Sequence, residues 1–133
     1  MRFMMLVIPT DYGKAAPDAM PDMKEVELMM KFNESLKSAG VLLDLNGLHP
    51  PSAGTRVSYK NGKATVVDGP FTEVKECIGG YWIIQVKSKE EAIQWASRVP
   101  FLGEATVEVR QIHEMTEFPP EIQEQAKSVG VMK

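Results

Sequence analysis

Thr55-Arg56-Val57-Ser58-Tyr59-Lys60-Asn61-Gly62-Lys63-Ala64-Thr65-Val66-Val67-Asp68 is the stretch on which the reading of the fold turns. Two β-patterned runs flank Asn61-Gly62. That pair suits a two-residue type I′ turn, because both positions need positive φ. So short a turn also sets the register. Val57 is expected opposite Val66, and Tyr59 opposite Ala64. The hairpin divides the chain into two halves, and each half reads strand, helix, strand.

Upstream, Phe3 to Ile8 is apolar on both faces and stops at Pro9, as a buried strand does. Residues 9–21 hold three prolines and form a loop. Asp22 is the expected N-cap of a helix carrying Val26, Met29, Met30, Asn33, Leu36 and Lys37 at spacings of three and four, with Gly40 as its stop. Val41 to Leu45 follows as a strand, then a Pro- and Gly-rich loop from Asn46 to Gly54. Downstream of the hairpin, Tyr81 to Val86 is a second strand with two apolar faces. Ser88 with Glu91 has capping-box spacing and opens a helix whose buried side is expected at Ala92, Ile93, Ala96 and Val99. Thr106 to Ile112 is the last main strand. Pro119 or Pro120 starts a short helix with Ile122, Ala126 and Val129 on one stripe.

The order β-α-β, hairpin, β-α-β predicts an α+β fold, a ferredoxin-like split βαβ arrangement with an inserted β-hairpin. Residues 1–115 form the domain, and 116–133 are a helical extension of it. Two main helices cover one face of the sheet, yet residues 3–8 and 81–86 are apolar on both faces. A second copy related by twofold symmetry is the simplest cover for the other face, which predicts a homodimer. A C-terminal helix folded back over that face is the alternative.

The chain has 133 residues, 44% apolar and 25% charged, with a formal net charge of -3. That is enough for one core, and it lacks the basic footprint of a nucleic-acid binder. No apolar run approaches the roughly 18–20 residues of a membrane span. The lone Cys77 allows no internal disulfide and suits a reducing compartment, so a cytoplasmic location is expected.

Val67-Asp68-Gly69-Pro70-Phe71-Thr72-Glu73-Val74-Lys75-Glu76 is followed by Ile78-Gly79-Gly80-Tyr81-Trp82, by Ser88 through Ala96, by Arg98-Val99-Pro100 and by Glu108-Val109-Arg110. Gly47-Leu48-His49-Pro50-Pro51-Ser52 stands upstream. This ordered series resembles the YCII-related proteins that carry the DGPF motif, along nearly the whole chain. The resemblance implies a dimeric α+β barrel, in which two sheets pack face to face around a cavity whose polar residues have led to enzymatic roles being proposed. Some relatives are encoded beside alternative sigma factors. Better-studied members of the wider superfamily share a His/Asp pair, to which no residues of this chain are assigned. Val99 stands where many relatives carry Cys, and Gln111 where many carry Pro.

The candidate site is drawn from the polar residues that this pattern turns inward. Glu108 and Arg110 alternate with Val107 and Val109, so they point away from the helices. A guanidinium there suits a carboxylate or phosphate ligand, unless it pairs with Glu108. Asp68, just before Gly69-Pro70, is a candidate general base or the acceptor of an Asx-turn. His49 is a candidate acid–base group. Glu73, Lys75 and Glu76 either wall the pocket or form a solvated surface. Phe71 is expected as a packing anchor, His113 as exposed, and Cys77 as an inert thiol. Neither a metal nor a cofactor is expected. Three readings follow: an enzyme acting on a polar or anionic metabolite, with Arg110 as anchor and Asp68 or His49 moving a proton; a non-catalytic accessory or regulatory dimer, linked to transcription; and a purely structural dimer.

Overall fold

In the computed structural model, which describes residues 1–71 and 76–131, the first apolar run forms strand β1, Arg2–Pro9. Helix α1, Met23–Ser38, follows. The Asp22 carboxylate caps it, accepting from the backbone N–H of Lys24 at 2.8 Å and of Glu25 at 3.4 Å. The helix ends as the sequence predicts. Gly40 takes φ +74° and donates to the Lys37 carbonyl, while Val41 donates to that of Leu36. These two bonds make a Schellman cap, and its partners Leu36 and Val41 are both buried.

Strand β2 is Leu42–Gly47, and β3 (Thr55–Lys60) with β4 (Lys63–Asp68) makes the hairpin. Strand β5, Gly80–Gln85, leads to helix α2, Lys89–Ala96. Ser88 Oγ accepts from Glu91 N–H at 3.1 Å, and the Glu91 carboxylate reaches back to the N–H of Lys87 at 2.9 Å. Strand β6 is Ala105–Gln111, and helix α3 is Pro120–Ser128.

The main sheet has the order β2-β5-β1-β6, with every neighbouring pair antiparallel. Each βαβ unit is split by a strand of the other, a topology compatible with a ferredoxin-like fold. Phe3, Met5 and Val7 of β1 and Trp82 and Ile84 of β5 point to one face, where they pack with Phe32 and Leu36 of α1 and Ala92 of α2. Val107 and Val109 of β6 join them, as the alternation predicts. Phe32 meets the Trp82 ring edge-on, with centroids 5.3 Å apart.

The buried faces of the helices differ in part from expectation. Phe32, not Met30 or Lys37, is the central residue of α1, because it continues the row through Met29 to Leu36. Met30 is 60% exposed. In α2 and the turn after it the contact row is Ala92, Trp95, Ala96 and Val99, while Ile93 lies about 100° off it and is exposed. Only Ala126 of the expected α3 stripe is buried, and Ile122 and Val129 are exposed.

The hairpin forms in the expected register, Val57 opposite Val66 and Tyr59 opposite Ala64. Asn61 and Gly62 both take positive φ, 53° and 77°, as a type I′ turn requires. β3 and β4 form a sheet of their own, and every residue in them is exposed.

The face of the main sheet opposite the helices is also defined by register. Met4, Ile83, Asp44 and Arg110 form one row, and Leu6, Tyr81, Asn46 and Glu108 the next. Its centre is apolar and half-buried, and its two edges are polar. No helix among the described residues is long and apolar enough to cross a membrane.

Candidate functional site

Two cavities adjoin the sheet, one on each face, and His49 lines both. The first, about 490 Å³, lies on the open face between β1, β6 and the base of the hairpin. Leu6 and Ile8 of β1 contribute apolar wall. The polar wall is Glu108 and Arg110 from β6, Arg56 from β3, His49, and Glu76 beside Cys77. Four of the residues singled out in the sequence, His49, Glu76, Glu108 and Arg110, are therefore brought together. Arg110 Nε lies 3.7 Å from Glu108 Oε2, and its side chain is 74% exposed. At that distance and exposure the pair is weak, so the guanidinium retains donors for a ligand.

Arg56 was missed by the sequence reading, although its place in the hairpin was not. Its guanidinium sits 4.2 Å from the centre of the Phe71 ring, which makes Phe71 the platform that orients it. The glycine between Asp68 and Pro70 has its own steric reason. A Cβ on Gly69 would stand 2.6 Å from the Pro51 carbonyl oxygen, and the Gly69 N–H donates to the Gly54 carbonyl at 2.8 Å. The turn after the hairpin is thus pressed onto the turn at residues 50–54 that carries on from His49.

Asp68 lies apart from this group. Its carboxylate accepts from the Thr55 hydroxyl at 2.6 Å across the hairpin and lines neither cavity. The expected sharing of one pocket by Asp68 and Arg110 is not found, because the carboxylate is turned to its cross-strand partner. Glu73 and Lys75 lie outside the described residues. His113 is exposed, 3.7 Å from Glu117. Burial pushes the Cys77 thiol up, against a smaller opposite pull from Arg56, which keeps it protonated and a poor nucleophile.

The second cavity, about 610 Å³, is on the helix side. Its walls are Val26, Met29 and Met30 of α1, Leu45 of β2, Trp82 of β5, Phe101 and the loop before α1. Its polar groups are few. The Tyr12 hydroxyl donates to the Leu48 carbonyl, and burial raises its pKa, with a further contribution from nearby Cys77. Asn33 Oδ1 accepts from Trp82 Nε1 at 2.8 Å. Desolvation raises the carboxyl of Glu25 above the ordinary glutamate range. The sequence reading took this face of α1 as core. Its one available signal was the polar pair Glu25 and Asn33, eight residues apart on the same stripe as Met29.

A third polar arrangement lies at the β2 edge of the sheet. The Tyr81 hydroxyl donates to Asp44 Oδ2 at 3.0 Å and accepts from Asn46 Nδ2 at 2.9 Å. Among the described residues, no group of three or more His, Cys, Asp or Glu is placed to hold a metal ion.

Fold and cavities define an α+β domain built on a four-stranded antiparallel sheet with a separate hairpin, and with concave sites on both faces of the main sheet. The sequence model of the YCII-related domain matches residues 1–116, and the chain belongs to that family. It is also similar to an uncharacterised protein of Rhizobium meliloti (strain 1021), 36% identical over 58 residues. That match covers 44% of this chain and 47% of the relative, so it spans about half of the relative's length.

Proposed function

We propose that the protein binds a small anionic metabolite in the concavity on the open face of the sheet, and that two copies pair over these faces and close the cavity. The observation that carries the reading is the convergence of Arg56 and Arg110 with His49 in one space of about 490 Å³. Guanidinium groups are suited to carboxylate or phosphate by their planar fork of donors. Glu76 and Glu108 line the same space and would exclude an anion that does not engage both arginines. The half-buried centre of the open face, Met4, Leu6, Ile8 and Ile83, supports a twofold partner as its cover.

On this reading His49, which lines the cavity, is the candidate to move a proton. Catalysis there would need the ligand's reacting atom within hydrogen-bond reach of its imidazole. A non-catalytic binding module is the second reading. It is favoured by Asp68, whose carboxylate is engaged by the Thr55 hydroxyl instead of facing the cavity. A thermal-shift screen of carboxylates and phosphates tests the proposal, since a ligand bound only by the folded state raises the melting temperature. Arg110→Ala should lower affinity for an anionic hit by about 1.5–3 kcal/mol, the range for a lost charge-assisted hydrogen bond. Unchanged affinity would refute it. Turnover of the hit, lost in His49→Gln, separates the enzyme from the binding module.

A further inference from the structure

The helix-side cavity differs in chemistry from the concavity across the sheet. Its apolar lining and its size of about 610 Å³ are those of a small-molecule site, which typically combines apolar walls with a few placed polar groups. At its mouth Met20 is 84% exposed and Met30 60% exposed. Unbranched thioethers in that position can repack around a ligand.

Against this lining stands one carboxylate. Glu25 reaches the cavity from the first turn of α1. Its Oε1 is closed off from water and finds no hydrogen-bond partner among the described residues. A buried acceptor without a donor is uncommon and calls for an explanation. Glu25, Met29 and Asn33 follow one another at intervals of four on one face of α1. Glu25 and Asn33 are therefore about 12 Å apart along the helix axis. The far end is held in place, because Asn33 Oδ1 is engaged by the Trp82 indole.

We propose that this cavity is a second ligand site, distinct from the anion-binding concavity, and that it takes an amphipathic primary amine, with the ammonium on Glu25 and the apolar body running past Met29 toward Trp82. An ammonium in the cavity draws the Glu25 carboxylate round toward it and gives the unpartnered oxygen a charge-assisted donor. A carboxylate or phosphate head would meet Glu25 with like charge, and a hydroxyl would supply a weaker bond. The Met29 and Val26 side chains and the Phe101 ring give the alkyl or aryl body the contacts that a polar metabolite could not use.

Octylamine, octanol and octanoate, each below its aggregation concentration, form a matched set of probes for the intact chain. The readout is the indole N–H signal of Trp82 in nitrogen–proton correlation spectra, assigned with Trp95→Phe. Octylamine should shift that signal saturably and bind about tenfold or more tightly than octanol, with octanoate weakest. Glu25→Gln should remove the amine preference and leave octanol binding as it was. Equal binding of the three probes, a preference for octanoate, or no saturable shift of Trp82 overturns the proposal, and each can be read on the unaltered protein. The outcome is independent of Arg110, so the reading of the open face stands or falls separately.

Discussion

The main sheet and the hairpin are built from similar strand sequences, yet they occupy opposite environments. β1 and β5 bury every second residue against the helices. β3 and β4 bury none, although Val57, Val66 and Val67 are as apolar as the core. The main sheet is held by side-chain packing. The hairpin is held by its turn and by a few contacts at its base: the Gly69 backbone against residues 51–54, Asp68 on Thr55, and Arg56 on Phe71. A two-stranded hairpin on its own is marginally stable in water. The hairpin brings Arg56 to the wall of the cavity, and the contacts at its base hold it there.

The largest expected effect tests the packed half of this contrast. Ile84→Ala removes a fully buried side chain from the centre of the sheet and should cost about 2–5 kcal/mol in denaturant unfolding. Val66→Ala on the hairpin, where the side chain is 65% exposed, should cost under about 0.5 kcal/mol. Similar losses at the two sites would show that the hairpin is packed in solution.

Gly69→Ala attacks the base. Its Cβ would lie 2.6 Å from one backbone oxygen and 2.9 Å from another, so the turn has to move. Overpacking of this kind costs about 1–3 kcal/mol. Hydrogen exchange should quicken in residues 55–68 while β1 and β5 keep their protection, and anion binding through Arg56 should weaken. Uniform loss of protection across both sheets would mean that the two regions are one cooperative unit.

Oligomeric state sharpens the same contrast. Light scattering at micromolar concentration should give twice the monomer mass of 14.8 kDa. Leu6→Lys, at the centre of the open face, should return the monomer. A monomeric parent would leave that face without its proposed cover.

The smallest effects are electrostatic and of opposite sign. Arg2 holds the Glu114 carboxyl below its ordinary range through a side-chain hydrogen bond of 2.8 Å. That contribution is present above the unfolded pKa and is lost as pH falls through the lower folded one. The deficit in melting temperature of Glu114→Gln should therefore disappear in acid. Glu25 is raised chiefly by desolvation. The native state then favours its neutral form, an advantage complete below the unfolded pKa and lost as pH rises through the folded pKa. Glu25→Gln should be the more stable protein at neutral pH, and its margin should shrink on acidification. Parallel pH profiles for the two variants would contradict both assignments.

The element order, the helix caps at Asp22 and Ser88, the stop at Gly40 and the hairpin register were all legible in the sequence. Each is decided by neighbours a few residues apart: a carboxylate over two free N–H groups, a glycine at positive φ, two turn residues that fix a ladder. Alternation also placed Glu108 and Arg110 on the face away from the helices, since a strand's period of two needs no partner to be read. Only the tertiary structure decided which groups share a cavity. His49, Arg56, Glu76 and Arg110 come from four separate stretches of chain, joined by loop paths that no local pattern encodes. Asp68 looked equally suited to that cavity but turned to Thr55, a choice made by the geometry of the facing strand. Glu25 and Met29 read as ordinary helix residues in the sequence. Their wall of a cavity exists because α1, β5 and the loop before α1 leave space unfilled between them, and that is a property of packing in three dimensions, not of any one segment.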